Sequence, residues 1–271
     1  MKNKSMKYMM TGRKRRRRRW LYVTVSLTIL LFIVSWAMLL LGSTIYPVKD
    51  VISVLLGEEI KGASFAVHSI RLPRMIAGLF AGFAFGIGGH IFQTMLRNPL
   101  ANPNVIGITT GSSAAAVFCI IILHTSNAVV SISSIVGGLV TVLFIYVFSK
   151  GKSFSIGRLI LVGIGIQAML NSFISYLLLV GAQQDIPAAL RWLSGSLNGS
   201  QMHDLPPLIL GVMLFAPLII LLGKQLNILE LGEQAATSLG VRTDRTRLLL
   251  IVSSVCVISL ATATTGPIAF V

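Results

Sequence analysis

Long runs of apolar residues alternate with short polar segments along almost the whole chain. A helix of about 20 residues crosses the roughly 30 Å hydrocarbon core of a bilayer, so each run of that length predicts a membrane span. The alternation therefore predicts an all-α fold, a polytopic transmembrane helical bundle. The seven predicted spans cover residues 20–41, 75–96, 105–123, 128–148, 159–180, 205–223 and 248–265.

The polar segment at residues 226–240 carries a helical pattern of its own. Helix-forming residues run from Glu233 to Leu239 and stop at Gly240. A glycine suits the position after a helix because it adopts the left-handed backbone conformation easily. Apolar residues four positions apart give this segment a narrow apolar stripe, so we expect a short amphipathic helix between two spans.

Composition agrees with a membrane protein. Of 271 residues, 54% are hydrophobic and 11% are charged, and the mean hydropathy is +0.84. Outside the first nineteen residues no polar stretch much exceeds thirty, which excludes a soluble catalytic domain. Cys119 and Cys256 both lie in apolar runs, so neither a disulfide framework nor a metal site is indicated.

The basic residues predict the orientation. Residues 1–19 hold ten of the 23 Lys and Arg residues and no acid, directly before an apolar run. Such a cluster favours a cytoplasmic tail with affinity for anionic lipid over a nucleic-acid-binding arm. With the N-terminus inside, the other thirteen divide into eight inside and five outside. The apolar run is too long for a cleaved signal peptide, so we interpret it as an uncleaved first span.

The second span and the segment after it are unusual. Gly78, Gly82 and Gly86 recur at every fourth residue and predict a nearly bare helix face, against which a neighbouring helix packs closely. Two Asn-Pro pairs, at residues 98–99 and 102–103, then stop the helix within six residues. A broken polar backbone between two spans is how transporters place unpaired amides and carbonyls beside a translocation pathway.

Two other classes of function remain as alternatives. An ion-coupled secondary transporter usually buries acids in its spans, whereas all eight acids here lie in predicted loops. A membrane-embedded enzyme needs a His pair, a Ser-Lys pair, paired carboxylates or an HExxH string, and the predicted spans hold none of these. No catalytic residue, metal ligand or cofactor site is therefore predicted.

Several strings match one family closely. Residues 71–74 read RLPR, residues 97–101 read RNPLA, residues 191–197 read RWLSGSL, and residues 231–241 read LGEQAATSLGV. In these strings the chain resembles the permease subunits of ABC importers for iron–siderophores, haem and vitamin B12, the FecCD-type family. The further positions that match this pattern are Gln93, Pro103, Gly107 and Gly111.

The resemblance implies a type II ABC importer permease fold of ten spans, with the chain ending after about seven of them. We therefore expect a basic tail at residues 1–19 and a C-terminally truncated permease domain at residues 20–271, with a cytoplasmic coupling loop at residues 226–240. Docking of the substrate-binding protein would fall on Arg71 and Arg74. The broken-helix pathway would comprise Gln93, Asn98, Pro99, Asn102, Pro103, Gly107 and Gly111. Contact with the ATPase would fall on Glu230, Gly232, Glu233, Ala235, Ala236, Leu239 and Gly240.

The resemblance also implies partners and a substrate class. No GxxxxGK[ST] phosphate-binding loop is present, so ATP hydrolysis would belong to a separate ATP-binding subunit dimer. A second permease copy or homologue and an extracytoplasmic substrate-binding protein would complete a bacterial inner-membrane importer, with no nucleic acid involved. The expected substrate is an iron–siderophore chelate, with haem or cobalamin as the alternatives.

Overall fold

The computed structural model describes residues 2–99, 107–149 and 156–268, and within them it is built from helices and turns with no strand. Asn102 and Pro103 of the predicted pathway lie outside the described residues. The helices are α1 (Lys2–Leu40), α2 (Val48–Leu55), α3 (Ala63–Leu96), α4 (Ile108–Leu123), α5 (Asn127–Ser149), α6 (Ile156–Val180), α7 (Ile186–Ser194), α8 (Pro206–Glu230), α9 (Glu233–Ser238) and α10 (Thr243–Thr265).

The all-α membrane fold is confirmed, with one difference in the number of spans. Among the described residues six helices are long and apolar enough to cross a membrane: α1, α3, α5, α6, α8 and α10. The predicted third span corresponds to α4, an apolar helix that runs only from Ile108 to Leu123. At 1.5 Å per residue it measures about 24 Å, short of a hydrocarbon core of about 30 Å.

The chain forms two compact units, residues 1–75 and 76–271. In the first unit, α2 and the start of α3 pack on the end of α1 through a small core of Leu39, Val51, Val54, Ala63 and Val67. The α3 backbone is π-helical from Ala66 to Arg71, immediately before Pro73. A wider turn at this point suits a residue that lacks an N–H, so the helix continues through the proline instead of starting after it.

In the second unit α10 is the most enclosed of the long helices. Of its most apolar 18-residue stretch, 61% is buried, compared with 17–39% for the other long helices of this unit. It is also rich in small hydroxyl residues. Ser253, Ser254 and Thr265 each donate a hydrogen bond to the carbonyl four residues earlier, at 2.6–3.0 Å. These internal bonds satisfy the hydroxyl donors of those three side chains at a helix interface.

The closest helix contact in the second unit joins α4 and α5. A Cβ atom at Gly137 would lie 2.7 Å from the carbonyl oxygen of Gly111, and one at Gly111 would lie 2.9 Å from that of Gly137. Gly138 faces the hydroxyls of Ser112 and Ser259 in the same way, at 2.5 and 2.6 Å. Small residues thus bring the backbones of α4 and α5 into contact and let Ser259 of α10 lie against Gly138.

The predicted glycine face of α3 does not pack in this way. Nothing lies within 4 Å of a Cβ atom placed at Gly82 or Gly86, and only Leu197 approaches one at Gly78, at 3.3 Å. The glycine of α3 that does permit close packing is Gly88, where Ile258 of α10 occupies the space. Within the described residues of this chain no helix packs on Gly82 and Gly86, because α3 turns its alanine and phenylalanine side to the core.

Candidate functional site: the arginine motif, the broken helix and the coupling helix

Arg71 of the RLPR string is a buried structural residue. Its side chain donates hydrogen bonds to the backbone carbonyls of Leu39, Leu40 and Thr44 at 2.8, 2.9 and 2.5 Å, and its guanidinium lies 4.9 Å from the ring centroid of Tyr46. The carbonyls in the last turn of a helix have no partner within the helix, so a cation here satisfies the end of α1.

This burial corrects the prediction for Arg71. Only 7% of the residue is exposed, and its guanidinium fills the space beside Gly42, where a Cβ atom would lie 2.6 Å from Nη2. A guanidinium held by three carbonyls and a ring is not presented to a docking protein. Arg74, three residues further along α3, is half-buried and also interacts within the structure. Of the two predicted docking residues it is the one with an accessible surface.

The helix break after the second span is confirmed, and its geometry is specific. The amide of Asn98 donates to the carbonyl of Gln93 at 3.0 Å and the amide of Arg97 donates to that of Thr94 at 3.1 Å. Arg97 has a φ of 49°. This pattern is a Schellman motif, in which the residue after the helix is usually glycine. Asn98 and Pro99 are exposed and Gln93 is half-buried.

Gly107 and Gly111 lie at the start of α4. Gly107 adopts a left-handed conformation with a φ of 66° and precedes the first residue of α4. Its Cβ position faces Ile145 and Thr141 of α5 at 3.4 and 3.5 Å. Both glycines are buried, so they start α4 and allow its close contact with α5. Their assignment to the broken-helix pathway stays a prediction.

The short helix predicted in the coupling segment is confirmed as α9. Gly232 before it has a φ of 117° and Gly240 after it a φ of 80°. At its end the amide of Val241 donates to the carbonyl of Ala236 at 3.0 Å and that of Gly240 to Thr237 at 2.9 Å, which is again a Schellman motif. Two left-handed glycines therefore delimit the helix.

The residues predicted to contact the ATPase differ in how exposed they are. Leu239 is 60% exposed, and Glu230 and Glu233 are exposed as well. Ala235 and Gly232 are half-buried. Ala236, by contrast, is fully buried in the main core of the second unit. The prediction that Ala236 contacts a partner is wrong, because this alanine packs against its own chain.

Two arginines contact the coupling segment in a way that sequence reasoning missed. Arg97 donates from Nη2 to the carbonyl oxygen of Leu229 at 3.3 Å. Arg247 of α10 lies 3.4 Å from the carboxylate of Glu233, one of the residues predicted to contact the ATPase. The sequence offers no signal for either contact, since the residues are 132 and 14 positions apart.

At the other end of the second unit, the segment after α7 packs on the end of α10. The amide of Ser196 donates to the carbonyl of Thr265 at 2.7 Å. Gly195 and Gly266 both have positive φ angles, 64° and 74°, and a Cβ atom at Gly266 would lie 2.7 Å from the Cα of Gly195. The RWLSGSL string thus includes the glycine that permits this contact.

The described residues contain no group of three or more His, Cys, Asp or Glu side chains able to hold a metal ion. What the geometry assembles is an exposed helix break, a delimited short helix between two long ones, and helices of membrane length. A helix that breaks between two membrane-length helices is a feature found in transport proteins.

Comparison with known proteins identifies the family. The model of the FecCD transport family matches residues 27–271. The chain belongs to this family. Among its relatives is the ferric enterobactin transport system permease protein FepG of Escherichia coli strain K12, which is 33% identical over 85% of this chain and 70% of its own length. Another is the cobalamin import system permease protein BtuC of Halobacterium salinarum, 31% identical over 77% of this chain and 57% of its own.

A solved structure supports the same conclusion. An inward-facing metal-chelate type ABC transporter matches with a TM-score of 0.81 and 26% identity over 92% of this chain and 77% of that chain. This FecCD-family chain is accordingly a membrane-spanning permease subunit of an ABC importer and not an enzyme. Its family works with an ATPase subunit and a substrate-binding protein.

Proposed function

We propose that this permease passes a ferric siderophore-type chelate across the cytoplasmic membrane, with energy from a separate ATPase subunit. The observation that carries the proposal is the family match across residues 27–271, together with similarity to a ferric enterobactin permease and a metal-chelate transporter. Cobalamin is the second candidate because one relative is a cobalamin permease, and haem is a third.

The α6 helix supports a pathway shared with a second permease copy or homologue. Asn171, Ser172, Ser175 and Tyr176 are all exposed on this membrane-length helix. Polar side chains within a span normally face the protein interior or a water-filled cavity, because exposure to lipid is unfavourable. A second permease facing α6 would enclose these residues, and the exposed Asn98 and Pro99 would lie at one end of the spans.

Docking of an extracytoplasmic binding protein would use Arg74. A half-buried arginine is partly desolvated already, so a carboxylate on the partner gains more from it than from a fully solvated side chain.

The basic segment Lys14 to Arg19 continues α1 and is exposed throughout, which supports a cytoplasmic N-terminus held against anionic lipid.

Coupling to the ATPase dimer would use α9. Leu231 and Leu239 are 67% and 60% exposed on either side of this short helix. Exposed leucines beside a rigid, glycine-delimited helix suit insertion into an apolar groove of a partner. Shape at Leu239, rather than at the buried Ala236, would determine the fit.

One assay tests both the substrate and the coupling. The chain is co-expressed with its ATPase and binding-protein partners, and uptake of a ferric siderophore panel, haem and cobalamin is measured. We expect saturable uptake of a ferric siderophore that the Leu239→Glu variant abolishes without lowering the amount of permease in the membrane. The exposed Ser238→Glu variant provides the control for added charge, with a smaller effect.

Uptake of cobalamin or haem alone would show that this compound, and not a ferric siderophore, is the substrate. Full uptake by Leu239→Glu would show that α9 is only a connector between two spans. The Ala236→Trp variant is expected to reduce the amount of folded permease, because its side chain is enclosed by the chain's own core.

A further inference from the structure

We propose that Arg97 and Arg247 hold α9 from two sides, so that the coupling helix moves together with the ends of α3 and α10. This inference rests on the proposed coupling role of α9. It makes both arginines positioning residues for transport, because they act through α9 and not by touching the transported chelate.

Arg97 occupies a backbone position that its residue type disfavours. A non-glycine residue with a positive φ carries strain from its Cβ atom, and this site in a Schellman motif is usually glycine. The side chain offers a reason for the exception, because its Nη2 donates to the carbonyl of Leu229 in the last turn of α8. Such strain at one residue is a reason to look for a function.

Gly232 lies beside that contact. A Cβ atom at Gly232 would lie 3.4 Å from Nη2 of Arg97 and 3.8 Å from its Nη1. The guanidinium of Arg97 thus lies beside the turn that joins α8 to α9. A cation at this point also complements the carbonyl end of α8. The end of α3 is in this way tied to the start of the coupling helix.

Arg247 holds the same end of α9 from α10. Both its Nη1 and its Nη2 lie 3.4 Å from one oxygen of Glu233, the first residue of α9. The arginine side chain is 5% exposed and the glutamate 49%. A buried arginine without its carboxylate would be unfavourable, so the pair keeps the first turn of α9 against α10.

The two contacts fix one end of the helix and leave the other accessible. Arg97 binds before α9 and Arg247 binds its first residue, whereas Leu239 follows its last residue and is exposed. Ala236 packs the middle into the core. A force applied at Leu239 would therefore reach the ends of α3 and α10 through these two polar contacts.

The first experiment measures the mobility of α9 in the purified full chain. A spin label is attached at Ser238→Cys, with Cys119 and Cys256 replaced by alanine. We compare Arg97→Gly, Glu233→Gln and the control Arg158→Gln, which removes an exposed arginine from α6. Arg97→Gly removes the guanidinium while relieving the backbone strain. Any change in the mobility of the label then comes from the lost contact and not from a distorted turn.

We expect Arg97→Gly and Glu233→Gln each to shorten the rotational correlation time of the label by about two-fold, a change in local order on the nanosecond timescale. Arg97→Lys should restore part of the lost order, and Arg158→Gln should leave it unchanged. An unchanged label in both Arg97→Gly and Glu233→Gln would overturn the proposal.

The second experiment uses the assembled transporter with its ATPase and binding protein. In Arg97→Gly the ATP hydrolysed per chelate taken up should rise several-fold, while assembly and basal ATP hydrolysis stay as in Arg158→Gln. A looser α9 with an unchanged ratio would refute the role in transmission. Failure of the unmodified chain to take up any chelate would refute the proposed function instead, and leaves the mobility result intact.

Discussion

At the scale of residues, the two arginines of the RLPR string have different environments although they are three positions apart. Arg71 satisfies carbonyls at the end of α1 and is buried, whereas Arg74 retains an accessible surface. Spacing on a helix explains the difference only in part. The deciding factor is that the chain between α1 and α3 folds back and brings Gly42 and Tyr46 around the Arg71 guanidinium.

The Arg71→Gln variant should therefore destabilise the first unit. It loses hydrogen bonds from a charged donor to three carbonyls and leaves the end of α1 unsatisfied, at a cost of about 2–4 kcal/mol. Hydrogen–deuterium exchange of residues 39–46, measured by mass spectrometry, should become faster. The Arg74→Gln variant serves as the control. Equal exchange in both variants would contradict the structural role of Arg71.

Local backbone requirements were predictable at this scale, and burial was not. Gly240 was expected to end a helix, and it does so with a φ of 80°, because the requirement involves only neighbouring residues. Ala236 was expected to face a partner and is instead enclosed by its own chain. A six-residue helix has too few turns for its pattern to reveal which side is covered.

At the scale of elements, the hydropathy of the long helices was sufficient to locate them, because the hydropathy of a long helix is summed over many residues. Their packing depends on single positions that hydropathy does not register. Glycines at four-residue spacing on α3 predicted a packing face, but the backbone contact forms between Gly111 of α4 and Gly137 of α5. The start of α3 was also placed at residue 75 instead of Ala63, because the π-helical turn before Pro73 was not foreseen.

Paired glycine substitutions test this packing. Gly111→Ala should destabilise the second unit by about 1–3 kcal/mol, because the new methyl group meets a backbone oxygen that cannot move by itself. Gly82→Ala, on the open face, should be neutral or stabilise by up to about 1 kcal/mol. Thermal unfolding in mild detergent, followed by fluorescence of Trp192 in a chain with Trp20 and Trp36 replaced by Phe, distinguishes them. A lower melting temperature for Gly82→Ala than for Gly111→Ala would contradict the assignment of the close helix contact to Gly111.

At the scale of the whole molecule, the short helix α4 determines on which side of the membrane each later segment of the second unit lies. With α3, α4, α5, α6 and α8 all crossing, the segments after α3, α5 and α8 share one side. Those after α4 and α6 then share the other. If the 16 residues of α4 did not cross, every later segment would change side. Thinning of the bilayer and the protein surroundings of a short helix lower the cost of such a mismatch.

Cysteine accessibility tests this threading directly. Single cysteines replace Ser126 after α4, Gln184 after α6 and Ser238 in α9, all of which are exposed, in a chain without Cys119 and Cys256. A membrane-impermeant maleimide is applied to spheroplasts and to inverted vesicles. We expect Ser126→Cys and Gln184→Cys to react only in spheroplasts and Ser238→Cys only in inverted vesicles, because the proposed coupling role requires that an ATPase reach α9 from the cytoplasm. Reaction of Ser238→Cys in spheroplasts would contradict this threading, and it would place α9 out of reach of any ATP-binding subunit.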